Sequence, residues 1–588
     1  MVTLGAVTGL TVSPAVAGSA FAGQAPSKQP VAEGYGGAVV SDTPDSTQAG
    51  IDVLRRGGTA ADAAVAVAAT LGVTDPYMAG LGGGGYFVYY DARTRKVTTL
   101  DGREVTPAAA DEKLFVDPAT GQPRDFNTAV QSGLSVGVPG MLATWEEAVR
   151  RWGRFSLADN LLPAERVAER GFVVDPALAE DTAANATKFA NFSSSAKLFL
   201  PGGKPLAAGS VLRNPDLAET YRQIRKQGTR AFYGGSIGKA VVDAVQHPPL
   251  SKNAAITAIP GSMKLSDLRD YRVIERAPTR VNYRGYDIYG MAPSSSGGTT
   301  VGMTLNILSN FTLSRMDSTQ AQHHVIEAAR LAYADRNRYI GDPAYVKVPP
   351  QLLSPDFGKS RACLINPAKA ATSPVAPGDP NGKGCATVPA ATAQVTPEQH
   401  TNHFVVADRY GNIVSYTNTI ESAGGSGISV GGFLLNNELT DFNFAPTQGA
   451  APDPNLPAAG KRPRSSMSPT IVLRDGKPVL AVGSPGGATI ITTVLQILIN
   501  RIDLGMTLPQ AIAAPRMSQR NTAKTDAEPA YLAQPSTKGL EALGQSFNQV
   551  SAIGIAAGLE FLPHGKILAA GEPVRRHGTA AAVVSPRH

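Results

Sequence analysis

Apolar positions recur with two different periods along the chain, and the change of period divides it. "STQAGIDVLRRGGTAADAAVAVAATLGVTDP", from Ser46, carries helical spacing and is cut by Gly57 and Gly58, which predicts two helices, the second built of small residues that pack closely. It leads into "GLGGGGYFVYYD", where Gly82–Gly85 precede an aromatic strand. This run lacks the lysine and spacing of a phosphate loop, and predicts a turn where backbone approaches backbone or ligand closely. From about 123 to 249 the pattern is amphipathic, as in "GMLATWEEAVRRWGRFSLADNLLPAERVAERG", and predicts a mainly helical region. "YRGYDIYGMAPSSSGGTTVGMTLNILSN" predicts a strand, a Ser/Gly turn and a helix; "AQHHVIEAARLAYADRNRYIGDP" predicts a helix with Ile326, Ala329 and Tyr333 near one face. A Pro- and Thr-rich stretch, about 367–397, predicts an exposed linker where a cut is tolerated. Beyond it the period becomes two: "HFVVAD" and "IVSYTNTI" flank "RYGN", and "SMSPTIVLRDGKPVLAVGSPGG" folds around "RDGK", both predicted hairpins. "ATIITTVLQILINRIDLG" predicts a helix starting just after paired glycines, and "TAAAVVSPRH" a closing strand.

Composition adds boundaries. Of 588 residues, 43% are hydrophobic, enough for one large or two ordinary cores, while 61 glycines and 44 prolines imply many short elements. The net charge of +7 is spread over 54 basic and 47 acidic residues without a long basic block, so nothing points to nucleic acid; "RVIERAPTRVNYRGY" is a solvated face. No stretch supplies some 20 continuous apolar residues, so stable membrane insertion is not expected. The N-terminus, "MVTLGAVTGLTVSPAVAGSAFAGQA", is small and apolar like the end of a secretory leader, with Ala15 and Ala17 suited to processing, but lacks a basic n-region. Residues 1–34 are therefore expected to be a leader remnant with an incomplete start. The two cysteines, Cys363 and Cys385, share one Pro/Gly-rich segment and are expected to form a local disulfide. Together these point to an oxidising compartment: secreted, periplasmic or on the cell surface.

Chemistry enters at Thr401, which opens the first strand after the linker. A threonine hydroxyl is a poor nucleophile without an adjacent base, and the nearest available base is its own α-amine. That amine exists only if the His400–Thr401 bond is broken, and its ordinary pKa, about 7.7–8.0, suits proton transfer near neutrality. Cleavage there would make one side chain serve both maturation and turnover. Hairpin arithmetic places Thr401 opposite Thr419 and Ile420 and on the strand face of Thr419, whose hydroxyl could orient it. An ordinary threonine-bearing hairpin reads the same way by pattern. Metal catalysis finds little support: His323 and His324 are adjacent on a helix and diverge, and His400 with His403 lacks a third ligand.

Seven motifs in order, "GLGGGGYFVYYD", "LDGREVTPAAA", "AYADRNRYIGDP", "TNHFVVADRYGN", "GGFLLNNELTDF", "KRPRSSMSPTIV" and "GSPGGATI", resemble the γ-glutamyltransferase (glutathione hydrolase) family of N-terminal nucleophile enzymes, from about residue 35 to the C-terminus. The resemblance implies an α+β, four-layer αββα sandwich formed jointly by a large subunit, 35–400, and a small catalytic subunit, 401–588, joined as a heterodimer of one precursor. It implies that Thr401 is the nucleophile and Thr419 its supporting hydroxyl. Arg103 would clamp the donor's α-carboxylate with help from Ser465 and Ser466, since a guanidinium fork matches a planar carboxylate. Asp441, with Glu438, would pair with the α-ammonium, and Gly486 and Gly487 would supply oxyanion N–H groups. The implied reaction cleaves glutathione and other γ-glutamyl compounds through a glutamyl-threonine ester, passed to water or to an amino acid or dipeptide amine, with ping-pong kinetics and no cofactor.

Two features depart from the family pattern. Glu421 stands where many relatives carry asparagine against the donor's amino group, and "FNFAPTQGAAPDPNLPAAGK" is shorter than an aromatic lid loop and contains no tyrosine, which predicts an open cleft. Two alternatives remain at this level. A cephalosporin or glutaryl acylase of the same fold would have to accept a side chain without an α-amine, against the three acids Glu421, Glu438 and Asp441. A non-enzymatic binding protein would be marked by a chain that stays intact.

Overall fold

The structure is a computed structural model and describes residues 26–389 and 400–585. The leader expected over residues 1–34 falls mostly outside the described residues, as does the part of the linker at 390–399.

Thirteen strands form two stacked sheets that share one strand, Val31–Ser41. Its first half pairs with Ile567–Gly571, and its second with Asn402–Asp408 and Ala580–Ser585. Gly36 and Gly37, with φ of 79° and 128°, let the strand bend between the two sheets, and a Cβ on Gly37 would lie 2.8 Å from the Ala407 carbonyl. The first sheet continues from Asn402–Asp408 through Ile413–Thr419, Gly84–Asp91 and Lys96–Gly102 to Ile274–Arg276. The second continues from Ile567–Gly571 through Ala557–Phe561, Lys477–Gly483, Thr470–Arg474 and Tyr286–Gly290 to Thr279–Tyr283. Strands from before and after Thr401 thus lie side by side in both sheets, so the strand-rich C-terminal third has no separate core.

Alternating side chains of the strands divide into three layers of contact. Val88, Val405, Ala407, Ile413, Ile471, Ala481 and Leu559 are sealed between the sheets. On the outer face of the first sheet, Phe87, Phe404, Val406 and Tyr416 meet helices Pro44–Arg55, Ala60–Thr74 and Met141–Trp152. On the outer face of the second, Val281, Ile288, Val472 and Val482 meet helices Gly297–Leu308, Ser318–Tyr339 and Ile490–Ile502. The order is αββα. The helix Ala60–Thr74 is buried along its whole length and starts on a capping box in which Thr59 and Asp62 satisfy each other's backbone N–H groups. Among the described residues, no helix is long and apolar enough to cross a membrane.

Cys363 and Cys385 are joined as a disulfide with a Cα–Cα distance of 6.1 Å. The expectation of a wholly exposed linker from 367 needs correction at 376–378. There the Gly378 N–H donates to Asp335 at 2.6 Å, and the Ala376 carbonyl accepts from Arg361 at 2.9 Å. Asp335 and Arg361 are themselves a fully buried ion pair, so the segment is held because it adds hydrogen bonds to both members of the pair. The helix after the paired glycines also starts later than its pattern suggests: Gly487–Thr489 form one 3₁₀ turn, and the α-helix runs Ile490–Ile502.

Candidate active site

The hairpin at Asn402–Asp408 and Ile413–Thr419 pairs in a register that ends at Asn402 opposite Asn418. One step further, Thr401 and Thr419 lie across from each other at the sheet's end. The Thr419 Oγ1 donates to the His400 carbonyl at 2.8 Å and accepts from the Glu421 N–H at 2.7 Å. The Glu421 carbonyl accepts from the His400 N–H at 2.9 Å. The first of these bonds holds and polarises the carbonyl of the peptide group before Thr401, while the other two fix the Thr419 hydroxyl and the His400 N–H on Glu421. Glu421 makes them at φ 81°, a left-handed conformation that costs a non-glycine residue about 1–3 kcal/mol.

The glycine run Gly82–Gly85 sits directly behind this point. A Cβ on Gly83 would lie 2.0 Å from the Thr419 carbonyl, and one on Gly84 would lie 2.5 Å from the Gly102 carbonyl and 2.6 Å from Glu104 Oε2. No side chain fits, so the run lets three backbone segments converge at the end of the sheet.

Thr401, Thr419, Arg103 and Glu421 line one small cavity of about 10 Å³. Glu438, Asp441, Ser465, Ser466 and Gly487 complete its wall. Arg103 stands just past the strand Lys96–Gly102, its N–H held by Asp101 at 3.0 Å. Its guanidinium pairs with both Glu438 and Asp441, which are brought together on the 3₁₀ turn Glu438–Asp441. The arginine and the acids, expected at opposite ends of a pocket, therefore touch each other. The Ser465 hydroxyl accepts from the Met467 N–H at 3.1 Å and the Ser466 hydroxyl from Arg336 at 2.8 Å, which leaves each O–H proton free for an incoming acceptor.

Burial shapes the charge states. Glu421 and Glu438 are pushed well above the usual carboxylate range, chiefly by desolvation; Asp441 raises both further, and Arg103 pulls Glu438 back. Burial disfavours the charge on Arg103, but Glu438 and Asp441 outweigh it and hold the guanidinium ionised. Gly486 faces a second cavity, about 220 Å³, on the other side of Thr401, which His400, Asp181 and Arg576 also line. Gly486 and Gly487, at φ 131° and 53°, turn the chain there ahead of the helix Ile490–Ile502.

Two residues of this site stood inside quoted motifs without an assigned role. Arg336 in "AYADRNRY" donates to the Ser466 and Ser296 hydroxyls, each at 2.8 Å. Glu104 in "DGREV" is wholly buried beside Arg103. Tyr333, expected only as an apolar contact, also donates to the Ala488 carbonyl at 2.5 Å, at the paired-glycine turn. His323 and His324 turn to the Asn366 and Gln320 carbonyls, and His403 to the Thr417 hydroxyl.

The chain is similar to known proteins over most of its length. The glutathione hydrolase proenzyme of Bacillus subtilis (strain 168) is 42% identical over 492 residues, covering 82% of this chain and 81% of that one. The acylase ACY 1 proenzyme of Pseudomonas sp. (strain SE83) is 36% identical over 497 residues, covering 83% of each. Among solved structures, the cephalosporin acylase from Bacillus halodurans superposes with a TM-score of 0.81 at 26% identity, over 97% of this chain and 99% of that one. The sequence profile of gamma-glutamyltranspeptidase matches residues 46–583, and the chain belongs to that family.

Proposed function

We propose that the protein is a self-cleaving γ-glutamyl hydrolase and transferase. The observation that carries this reading is the single cavity that joins Thr401 and Thr419 to a buried guanidinium, two serine hydroxyls and three acids. Maturation begins when the Thr401 hydroxyl adds to the His400 carbonyl carbon, polarised by Thr419. The C–N bond to Thr401 then breaks, its nitrogen takes a proton, and water hydrolyses the resulting ester. The products are a segment ending at His400 and one beginning at Thr401, which stay together because their strands interleave in both sheets.

The freed α-amine then serves as base for the same hydroxyl. A γ-glutamyl donor inserts its amino acid head between Arg103 and its acids: the α-carboxylate takes the guanidinium fork and the serine hydroxyls, and the α-ammonium takes Asp441, Glu438 and Glu421. A substrate without that head cannot compensate for separating Arg103 from its acids, so the site rejects it. Attack of Thr401 on the γ-carbonyl places the oxyanion towards the backbone of Gly486 and Gly487. The leaving amine takes the proton held by the α-amine. Water, or the amine of an amino acid or dipeptide, then accepts the glutamyl group from the ester. Glutathione is the donor of choice, and an oxidising compartment accords with the disulfide.

The test is intact mass and N-terminal sequencing of the wild type beside Thr401→Ala, followed by turnover of glutathione. The expected result is two fragments, the smaller beginning Thr-Asn-His, only when Thr401 is present. An uncut, active wild type overturns the reading. A second reading rests on the likeness to acylases: release of a glutaryl side chain from a cephalosporin faster than glutamate from glutathione would establish it, against the ammonium-binding acids.

A further inference from the structure

Next to Arg103 in the chain lies a carboxyl group that the reaction above does not use. Glu104 is 0% exposed, pressed between the backbones of Gly84 and Gly137. Among the described residues, neither of its carboxyl oxygens accepts a hydrogen bond from another residue's N–H or O–H, and neither does Glu438 Oε2. Yet the Glu104 and Glu438 carboxyl groups are within hydrogen-bonding reach of each other. Two ionised carboxylates in this position would repel and leave three buried oxygens unsatisfied; a single proton between them removes the repulsion and pairs two of the three.

We propose that Glu104 and Glu438 share one proton, and that Glu104 thereby acts as a positioning residue that aligns Glu438 for the donor's α-ammonium and makes donor binding sensitive to pH. This rests on the γ-glutamyl reading of the site.

The charged neighbours support one proton for the pair. Arg103 faces it from the loop after Lys96–Gly102, Asp441 shares the turn with Glu438, and Glu421 faces both acids from the end of the Ile413–Thr419 strand. Tyr271 and Tyr416, also near Glu104, are held neutral by burial. With the proton in place, Glu438 keeps one oxygen on Arg103 and the other on Glu104, so its orientation is set before the donor arrives. Loss of the proton adds a negative charge that tightens Arg103 onto its own acids and raises the cost of releasing its fork to the donor's α-carboxylate. Burial, opposed by Arg103, pushes Glu104 up to about 8, so the competent form dominates at neutral pH and is lost as pH rises through that value.

The experiment compares KM for glutathione between pH 7 and pH 9 in the processed wild type and Glu104→Gln. The amide donates to Glu438 at every pH and so removes the titration of Glu104 while leaving those of Glu438 and of the substrate's own amine. The expected ratio of wild-type to variant KM rises about tenfold across the range, because binding weakens in proportion to the competent fraction. Identical pH profiles in the two proteins overturn the proposal. Should Glu104→Gln not accumulate, Glu104→Asp, which draws the carboxyl one methylene back from Glu438, is expected to shift the alkaline limb; an unmoved limb is equally fatal. Infrared difference spectra of substrate-free wild type and variant provide a readout independent of activity. A carboxylic-acid C=O band present at pH 7 and bleached by pH 9 only in the wild type supports the pair, and its absence overturns it. A wild type that shows the band but no γ-glutamyl turnover overturns the donor reading instead.

Discussion

Arg103 and Thr419 each hold a group that chemistry must later release. Arg103 balances two acids in a site with almost no free volume, so a substitution there has two separable effects. Arg103→Ala strands Glu438 and Asp441 and is expected to destabilise the fold by about 3–5 kcal/mol, read as a fall in denaturant midpoint. Arg103→Lys keeps the charge but not the fork, and is expected to raise KM for glutathione by about 10–100-fold, the loss of one hydrogen bond to a charged group. Thr419→Val keeps shape and volume while removing the donor from the His400 carbonyl, and is expected to slow self-cleavage by about 10²–10³, measured as the half-life of the full-length chain. Thr419→Ser should restore most of the rate; equal rates for Val and Ser would show that the 2.8 Å bond does not act on the scissile carbonyl. Thr401 and the adjacent "NHFVVAD" pattern were legible in the chain because strand parity and a nucleophile's need for a base are local arguments. The contact of Arg103 with Glu438, across 335 residues, was not, because no local pattern records which side chains a fold brings face to face.

The helix Ser318–Tyr339 shows the same division one scale higher. Its existence was readable from period and length. Its role was not: one turn places Tyr333 on the Ala488 carbonyl and Arg336 on the Ser466 hydroxyl, so a single rigid element braces both the paired-glycine turn and the serine pair. Tyr333→Phe, which keeps the ring and removes the hydroxyl, is expected to lower kcat several-fold with little change in KM. The linker is the complementary case, where composition suggested looseness and structure supplied anchors. The Cys363–Cys385 bridge closes a separation of 22 residues, and removing it as a Cys363→Ser, Cys385→Ser pair is expected to cost about 3 kcal/mol by the loop-entropy relation. A thermal shift confined to the reducing agent's effect on the wild type, and absent from the serine pair, checks that assignment.

For the molecule as a whole, cohesion across the proposed cut comes from the interleaved sheets and from a buried polar cluster. With its amide nitrogen turned towards the two carboxyl groups, Asn402 donates to Asp42 and Asp75, and Arg576 pairs with Asp75 and Asp181, so segments from both sides of Thr401 meet. Burial, reinforced by Asp75, pushes Asp42 up to about 7. Between the ordinary carboxylate value, about 4, and that value the folded state holds a proton that the unfolded chain has lost, so ionising Asp42 lowers stability as pH rises through this window. Asp42→Asn is therefore expected to raise the melting temperature more at pH 8 than at pH 5, and an equal shift at both would reject the assignment. By itself the sequence determined the alternation of helix and strand, the strand that starts beside Thr401 and the family, because these rest on local period and on ordered motifs. Only the tertiary structure decided that the two parts share both sheets, that the pocket closes on its own ion pairs, and that Glu104 faces Glu438. Those depend on approaches between distant segments, which Gly83 and Gly84 permit by leaving no side chain in the way.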